Sequence, residues 1–362
     1  MSLMSGSTSL EKLQRKYSGF AVPSLEIAVD GASLAVGREL HVQQMSVDLT
    51  CGFEASGCEF LAGSCYSLQD RDFSRAMEKF QVGSKIEISL GYQATEPVFQ
   101  GYINEVGYEF GNEEAPMIRV KCMDAKGLLM KNRRLEAFKE KQADAVVRKL
   151  LSEQPVSSYL SGKTVDSCSS EEVPLRTGMK TDYDIIVELA RKTGYEFFII
   201  QGKAYFRQGE KSTSPIMTLT PRCRVEECIS TVSGNSLIQT VEVRSIHAGN
   251  GKLISGKASI SGSFGSKASR LYQGTAQVFY EAGVESAKEA SDRAKARMEA
   301  LRAQFCSLEL TCMGIPELVP GRFVSLDQFA DAVNGKYYIT AVTHRCSASE
   351  FSTTIKGQRK SL

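Results

Sequence analysis

The sequence predicts a mainly β protein with an α+β insert. Two observations carry this. Apolar and polar residues alternate with period two in a stretch near each end of the chain, and the middle holds capped helical patterns followed by a strand pair. Several short strands separated by turn residues point to barrels or sandwiches in both outer regions.

Residues 1–22 are polar, with a short helical pattern at Leu10, Leu13 and Tyr17 that reads as an N-terminal arm. From Pro23 the period changes. Leu25, Ile27 and Val29 alternate with Glu26, Ala28 and Asp30, and Gly31 marks a turn. Further strands are expected over Leu40–Leu49 and Glu59–Tyr66. Leu68–Phe80 fits a short helix, with Leu68, Phe73, Ala76, Met77 and Phe80 on one face. Ile86, Ile88 and Leu90 then alternate with Glu87 and Ser89, and a second run carries Val98 to Tyr108. Met117–Met123 completes about six strands. In the middle, Lys141–Leu151 reads as a helix, and Thr181 with Asp184 forms a capping box that opens another. Gly194 stands where a helix stops, and the strands Tyr195–Ile200 and Ala204–Arg207 follow.

The last third returns to strands, at Val241–Ser245, Gly251–Ile260, Ser307–Cys312, Arg322–Leu326, Tyr337–His344 and Glu350–Ile355. Ser261–Lys267 reads as a loop. A helix over Ser286–Phe305 is expected to open with a second capping box, Ser286 and Glu289. Its apolar stripe is narrow and begins with alanines, which allows close approach to another element. The division is therefore an arm (1–22), a first β-barrel (23–130), an α+β insert (131–207) and a second β-barrel with a docked helix (208–362). No internal repeat is apparent between the two β regions.

Composition narrows the function classes. Among 362 residues, 42% are hydrophobic and 24% charged, with a formal net charge of +2. That balance argues against dedicated nucleic-acid recognition. No apolar run approaches the ~18 residues that stable membrane insertion requires, and no secretory signal pattern opens the chain. The ten cysteines contain no C-x-x-C, and the three histidines (His41, His247, His344) do not pair with them. Free thiols buried as small hydrophobes in a reducing cytosol are expected, with no metal and no cofactor. Neither G-x-S-x-G, H-E-x-x-H nor a P-loop occurs. The carboxylate pairs Glu113-Glu114 and Glu171-Glu172 fall in polar stretches, and His344 reads as a structural hydrogen-bonding residue. No catalytic residue is therefore assigned. Residues 121–150 hold nine Lys/Arg against four Asp/Glu, read as a solvated connector and helix face rather than an anion-binding surface.

With this layout in place, "ISLGYQATEPVFQGYINEV" resembles the strand–turn–strand element of the phage late control gene D family. These are baseplate hub proteins of contractile tails, similar to the hub part of VgrG proteins of type VI secretion. The matching positions are Gly91, Tyr92, Phe99 and Gly101. "TDYDIIVELARKTGYEFFI" resembles the family's middle helix and strand. "GIPELVPGRFVSL" resembles its approach to a late strand, through Pro320 and Gly321. "GKYYITAVTHRCSASEFSTTI" resembles its closing hairpin, through Tyr338, Val342 and His344. The resemblance covers roughly 23–357.

It implies two tail-tube-like barrels per chain in a homotrimer with pseudo-six-fold symmetry, joining the tail tube to the central spike. The helices near 68–80 and 286–305 would pack in an outer ring. VgrG proteins continue into an oligosaccharide-binding fold and a β-helical spike, whereas this chain stops at Leu362, so the spike is expected on a separate protein. The other partners implied are the tail tube protein and further baseplate proteins. Assembly is expected in the bacterial cytoplasm, for a virion tail or injection particle. Two other classes compete with this reading: a tail-associated cell-wall hydrolase, which needs a carboxylate pair across a groove, and a carbohydrate-binding β-module, which favours aromatic platforms in a chain that here has no Trp.

Overall fold

The structure is a computed structural model. It describes all residues except 1–3, 5, 35, 37–39, 64, 74–77, 112–114, 136–137, 141, 169–178, 211–213, 263, 266 and 362. The fold is mainly β with a helix-containing insert, as the alternation predicts. Six strands come from the first third: β1 (Ser24–Val29), β2 (His41–Thr50), β3 (Gly57–Gly63), β4 (Lys85–Gly91), β5 (Thr95–Glu109) and β6 (Met117–Met123). Six more come from residues 215–359: β7 (Pro215–Leu219), β8 (Glu227–Val232), β9 (Cys306–Met313), β10 (Phe323–Leu326), β11 (Gly335–Ser347) and β12 (Phe351–Arg359). With the two-residue strand Ala32–Ser33 they form one 13-stranded sheet.

The two sets are wired alike. β1 pairs β4, β4 pairs β5, β5 pairs β6, β6 pairs β3, and β3 pairs β2. Adding six to every label gives the second set: β7–β10, β10–β11, β11–β12, β12–β9 and β9–β8. One pair differs in direction, since β1–β4 is antiparallel and β7–β10 parallel. The correspondence extends to single residues. The β5–β6 ladder skips Asn104, between Ile103 and Glu105. The β11–β12 ladder skips Thr340, between Ile339 and Ala341. Such a bulge adds one residue to one strand and bends it. The turn before β4 and β10 is also shared. Gly83 N–H donates to the Ile103 carbonyl and Gly321 N–H to the Ile339 carbonyl, at 2.8 and 2.9 Å. Both glycines have φ in the left-handed region, +95° and +79°, where a Cβ is unfavourable.

This register reveals a repeat that composition and alternation alone do not. Tyr102-Ile103-Asn104-Glu105-Val106 lies on Tyr338-Ile339-Thr340-Ala341-Val342. The expectation of no internal repeat is corrected: three identities in five are too few to notice until pairing fixes the alignment.

The N-terminal arm is ordered where described. α1 (Leu10–Lys16) is capped by Ser9, and Leu13 and Tyr17 are buried. The insert has its own core. α2 (Ala143–Leu150) and α3 (Asp182–Thr193) bring Val146, Val147, Leu150, Ile185, Ile186 and Leu189 onto Phe197, Ile199 and Phe206 of the hairpin Tyr195–Ile200/Lys203–Gln208. The Thr181–Asp184 capping box is complete, and Gly194 ends α3 in the left-handed conformation. α4 (Ala287–Ala303) packs on a small sheet of Thr240–Ile246, Leu253–Ser259 and Ala276–Tyr280. Its alanine stripe works as expected. Ala290 and Ala294 are fully buried, and a Cβ on Gly256 would stand 2.1 Å from the Ser291 nitrogen.

Two local expectations change. Ser286 caps the Glu289 N–H, but the Glu289 carboxylate bonds the Glu285 N–H rather than that of Ser286, so the box is half formed. Leu68 does not lie on a buried helical face. Residues 68–71 are a turn closed by the Ser67–Asp72 bridge, and Leu68 is 82% exposed. Ala76 and Met77 lie outside the described residues, whereas Phe73 and Phe80 are buried.

Candidate functional site

The two strand sets meet along one seam, the antiparallel pairing of β2 with β11. Gln44 lies opposite Ser347, and the register runs without a break to Thr50 opposite Ala341. Cys51 N–H continues it to the Thr340 carbonyl at 3.0 Å. Both strands alternate here, so Met45, Val47 and Leu49 face the core with Val342, His344 and Cys346. On the outer face Thr343 Oγ1 donates to the Asp48 carboxylate at 2.6 Å. A small pocket opens there, lined by Asp48, Thr50, Glu54, Thr343, Thr354 and Lys356.

His344 is fully buried in this seam. Its Nδ1 lies 2.9 Å from Thr353 Oγ1, and burial pulls the imidazole down to about 4. It is thus neutral in the folded chain at neutral pH, as a structural hydrogen-bonding residue should be.

The other motif residues gather where elements cross. Gly91 ends β4, and a Cβ on it would stand 2.2 Å from the Ala94 carbonyl, so only glycine fits the tight β4–β5 turn. Tyr92 is buried among Tyr17, Phe20 and Phe351, and donates to the Gly314 carbonyl at 3.2 Å. It therefore ties the first strand set and the arm to the second set. Phe99 is buried, and Gly101 lets β5 pass the Met123 carbonyl, which a Cβ would approach to 2.2 Å. Pro320 is buried and precedes the Gly321 turn.

Tyr338 anchors the insert. Its hydroxyl lies 2.6 Å from both oxygens of Glu196. Arg207 Nε stands 3.7 Å from Glu196 Oε2, and Arg207 also donates to the Gly321 carbonyl and covers the Phe198 ring. Burial raises both the Glu196 carboxyl and the Tyr338 phenol above their usual ranges. Sequence reasoning found Tyr338 and Gly321 but not their partners Glu196 and Arg207. These two alternate outward on a hairpin, and only the packing of the insert buries them.

Gly91, Tyr92, Phe99, Gly101, Pro320, Gly321, Tyr338 and His344 are thus spread over three junctions: arm to sheet, insert to sheet, and set to set. They do not converge on one cleft. The basic stretch 121–150 is mostly a solvated face, with Lys131, Arg133 and Lys139 exposed, and Lys126 is the exception. Lys126 is buried, donates to the carbonyls of Gly52 and Glu54, and lies over the Phe197 ring. Lys121, Arg148 and Lys149 pair with Glu105, Asp144 and Glu140. Of the ten cysteines, eight are buried and Cys65 and Cys228 are half-buried. Among the described residues no group of His, Cys, Asp and Glu has metal-binding geometry, and no helix is long and apolar enough to cross a membrane. Glu113, Glu114, Glu171 and Glu172 lie outside the described residues.

Solved structures share this architecture. The 43 kDa tail protein of prophage MuSo2 from Shewanella oneidensis superposes with a TM-score of 0.71 at 12% identity, over 93% of this chain and 98% of its own. A tail protein from Neisseria meningitidis gives 0.71 at 13% identity, over 93% and 97%. A type VI secretion component of E. coli, described as structurally similar to the phage T4 tail proteins gp27 and gp5, gives 0.56 at 11%, over 91% and 76%. The fold is that of the tail and baseplate hub-like proteins. By sequence, the chain belongs to the family described as the Alg8 N-terminal domain, whose model matches residues 21–348. That description groups sequences; the fold those residues adopt is the tail-protein fold. No curated protein matches the sequence.

Proposed function

We propose that this chain is the structural baseplate hub of a contractile tail or injection system, joining the tail tube to the central spike as a trimer with pseudo-six-fold symmetry. The observation that carries this reading is the duplicated six-strand unit, repeated down to its bulge and its glycine turn, with the two copies joined edge to edge. Three chains would present six equivalent units to a six-fold tube while keeping three-fold symmetry for a spike. The division into arm, first barrel, insert and second barrel at 22, 130 and 207 belongs to the same reading, as do the tube, the separate spike and other baseplate proteins as partners. Assembly in the bacterial cytoplasm, and a role free of catalysis, complete it.

The test is imaging of particles produced from the surrounding gene cluster, with the chain located by an affinity label. Three copies per particle at the junction of tube and spike are expected. Six copies, or a position on the outer baseplate arms, would overturn the reading.

A further inference from the structure

The duplication singles out one part of the chain that has no counterpart. In the first unit the second and third strands are joined by residues 51–56. In the second unit the same connection, from β8 to β9, runs through residues 233–305 and contains α4 with its three-stranded sheet. The first unit forms without such a module, so the module serves something other than the six-strand unit.

The module is layered, and its outermost layer is open. α4 packs on one side against Val243, Ala258 and Phe279 of the sheet. Its other side meets α3, where a Cβ on Gly194 would stand 3.4 Å from the Ala296 Cβ. The far face of the sheet therefore points away from both helices. By alternation it carries Ile246, Leu253, Val278 and Tyr280, which are 53%, 66%, 52% and 66% exposed. The register gathers them on one surface. Ile246 lies opposite Leu253 on one ladder, and Glu242 and Arg244 lie opposite Val278 and Tyr280 on the other. Large apolar side chains collected on one open face mark an interaction site. The middle of this face is charged. Arg244 donates to both Glu242 oxygens, at 2.9 and 3.1 Å, and Lys257, opposite Glu242, stands 3.7 Å from it. One carboxylate thus answers two cations, and Lys257 stays exposed.

We infer that this face docks an acidic amphipathic α-helix from a different protein of the particle, one helix per chain. The dimensions call for a helix. The outer strands of a three-stranded sheet lie about 10 Å apart, the width of one helix. The seven residues of the central strand Thr240–Ile246 extend for about 24 Å, the length of about 16 helical residues. The opposite face already takes one helix of that size, the 17-residue α4. An apolar stripe on the incoming helix would meet Ile246, Leu253, Val278 and Tyr280, and Asp or Glu within the stripe would meet Arg244 and Lys257. A second copy of this chain does not fit. Two such faces would set like charges against each other, and α1–α4 already bury their own apolar residues. The inference rests on the hub reading for the class of partner, another baseplate protein. Because one unit of each chain carries the module and the other does not, a trimer would take three such helices.

The experiment uses the full chain in particles produced from the surrounding gene cluster, with Val278→benzoylphenylalanine as a photoreactive probe and Leu68→benzoylphenylalanine, on the first strand set, as control. After illumination, mass spectrometry should find Val278 joined to a helical segment of one other particle protein, with Asp or Glu among its apolar residues, and the control should lack that adduct. A synthetic peptide of that segment should bind the purified chain. Lys257→Glu and Tyr280→Asp should each weaken binding about tenfold or more, and Lys257→Arg less than about threefold. Circular dichroism and melting of each variant should match the parent. Adducts to a second copy of this chain, adducts to a basic or extended segment, or no adduct in particles that contain the chain would overturn the inference. So would a peptide that binds Lys257→Glu and Tyr280→Asp as tightly as the parent. The hub reading fails separately: six copies per particle, or a position away from the junction of tube and spike, would overturn it while the helix adduct left the docking face standing.

Discussion

Replacing Tyr338 by Phe tests whether the insert is held to the second strand set through one buried polar node. The Tyr338 hydroxyl lies 2.6 Å from both Glu196 oxygens and is itself buried. Removing it deletes one hydrogen bond to a charged group, a loss of about 1.5–3 kcal/mol. The lower half of that range is expected, because Glu196 keeps Arg207 at 3.7 Å and Arg207 keeps the Gly321 carbonyl. Glu196→Ala should cost more, about 3–5 kcal/mol, because it leaves the Arg207 guanidinium buried beside no carboxylate. The double variant should cost less than the sum, since the two residues share one contact. Urea denaturation gives the totals. Hydrogen exchange gives the location: the hairpin Tyr195–Ile200/Lys203–Gln208 should open more easily while β1–β6 stay protected. A denaturation midpoint unmoved by Tyr338→Phe, or exchange that rises equally throughout, would refute the reasoning.

Four further outcomes follow from the same geometry. Because His344 is held near 4 in the folded chain against 6.5 when free, the unfolded chain takes up its proton first as pH falls. Stability contributed by the neutral ring is therefore present above about pH 6.5 and lost towards pH 4, by about 3 kcal/mol; His344→Gln should flatten that part of the stability profile in denaturation curves. Gly321→Ala should lower the melting temperature, with a cost of about 1–3 kcal/mol, because φ is +79° and the added methyl would stand 2.8 Å from the Phe198 ring; an unchanged melting temperature would show the turn to be slack. Thiol titration without reductant should find few of the ten cysteines reactive in the native chain and most of them after denaturation, and a largely unreactive denatured set would contradict free thiols. Purified protein should leave peptidoglycan intact, and clearing that is lost on replacing Glu113, Glu114, Glu171 or Glu172 by Gln would overturn the structural role.

Sequence alone determined the elements whose signals are local. The alternation of Ile86, Ile88 and Leu90 set the inward face of β4, since side chains on a strand point to opposite sides in turn. Thr181, Asp184 and Gly194 set both ends of α3, because caps satisfy backbone groups within a few residues. The alanines of α4 announced a close contact, though not that Gly256 would receive it. Leu68 shows the limit of such patterns, since a helical spacing of apolar residues did not prevent a turn there.

Tertiary structure alone decided how distant strands share an edge. The pairing of β2 with β11 joins residues about 300 apart in sequence, and nothing local in either strand names the other. Pairing also made the repeat visible: Tyr102-Ile103 and Tyr338-Ile339 become equivalent only when both bulges are known. Glu196 and Arg207 look like ordinary exposed hairpin residues until the insert folds onto Gly321 and Tyr338. Hydrophobic alternation depends on each strand's own residues, whereas register, edge exposure and buried charge depend on which surfaces the whole chain brings together.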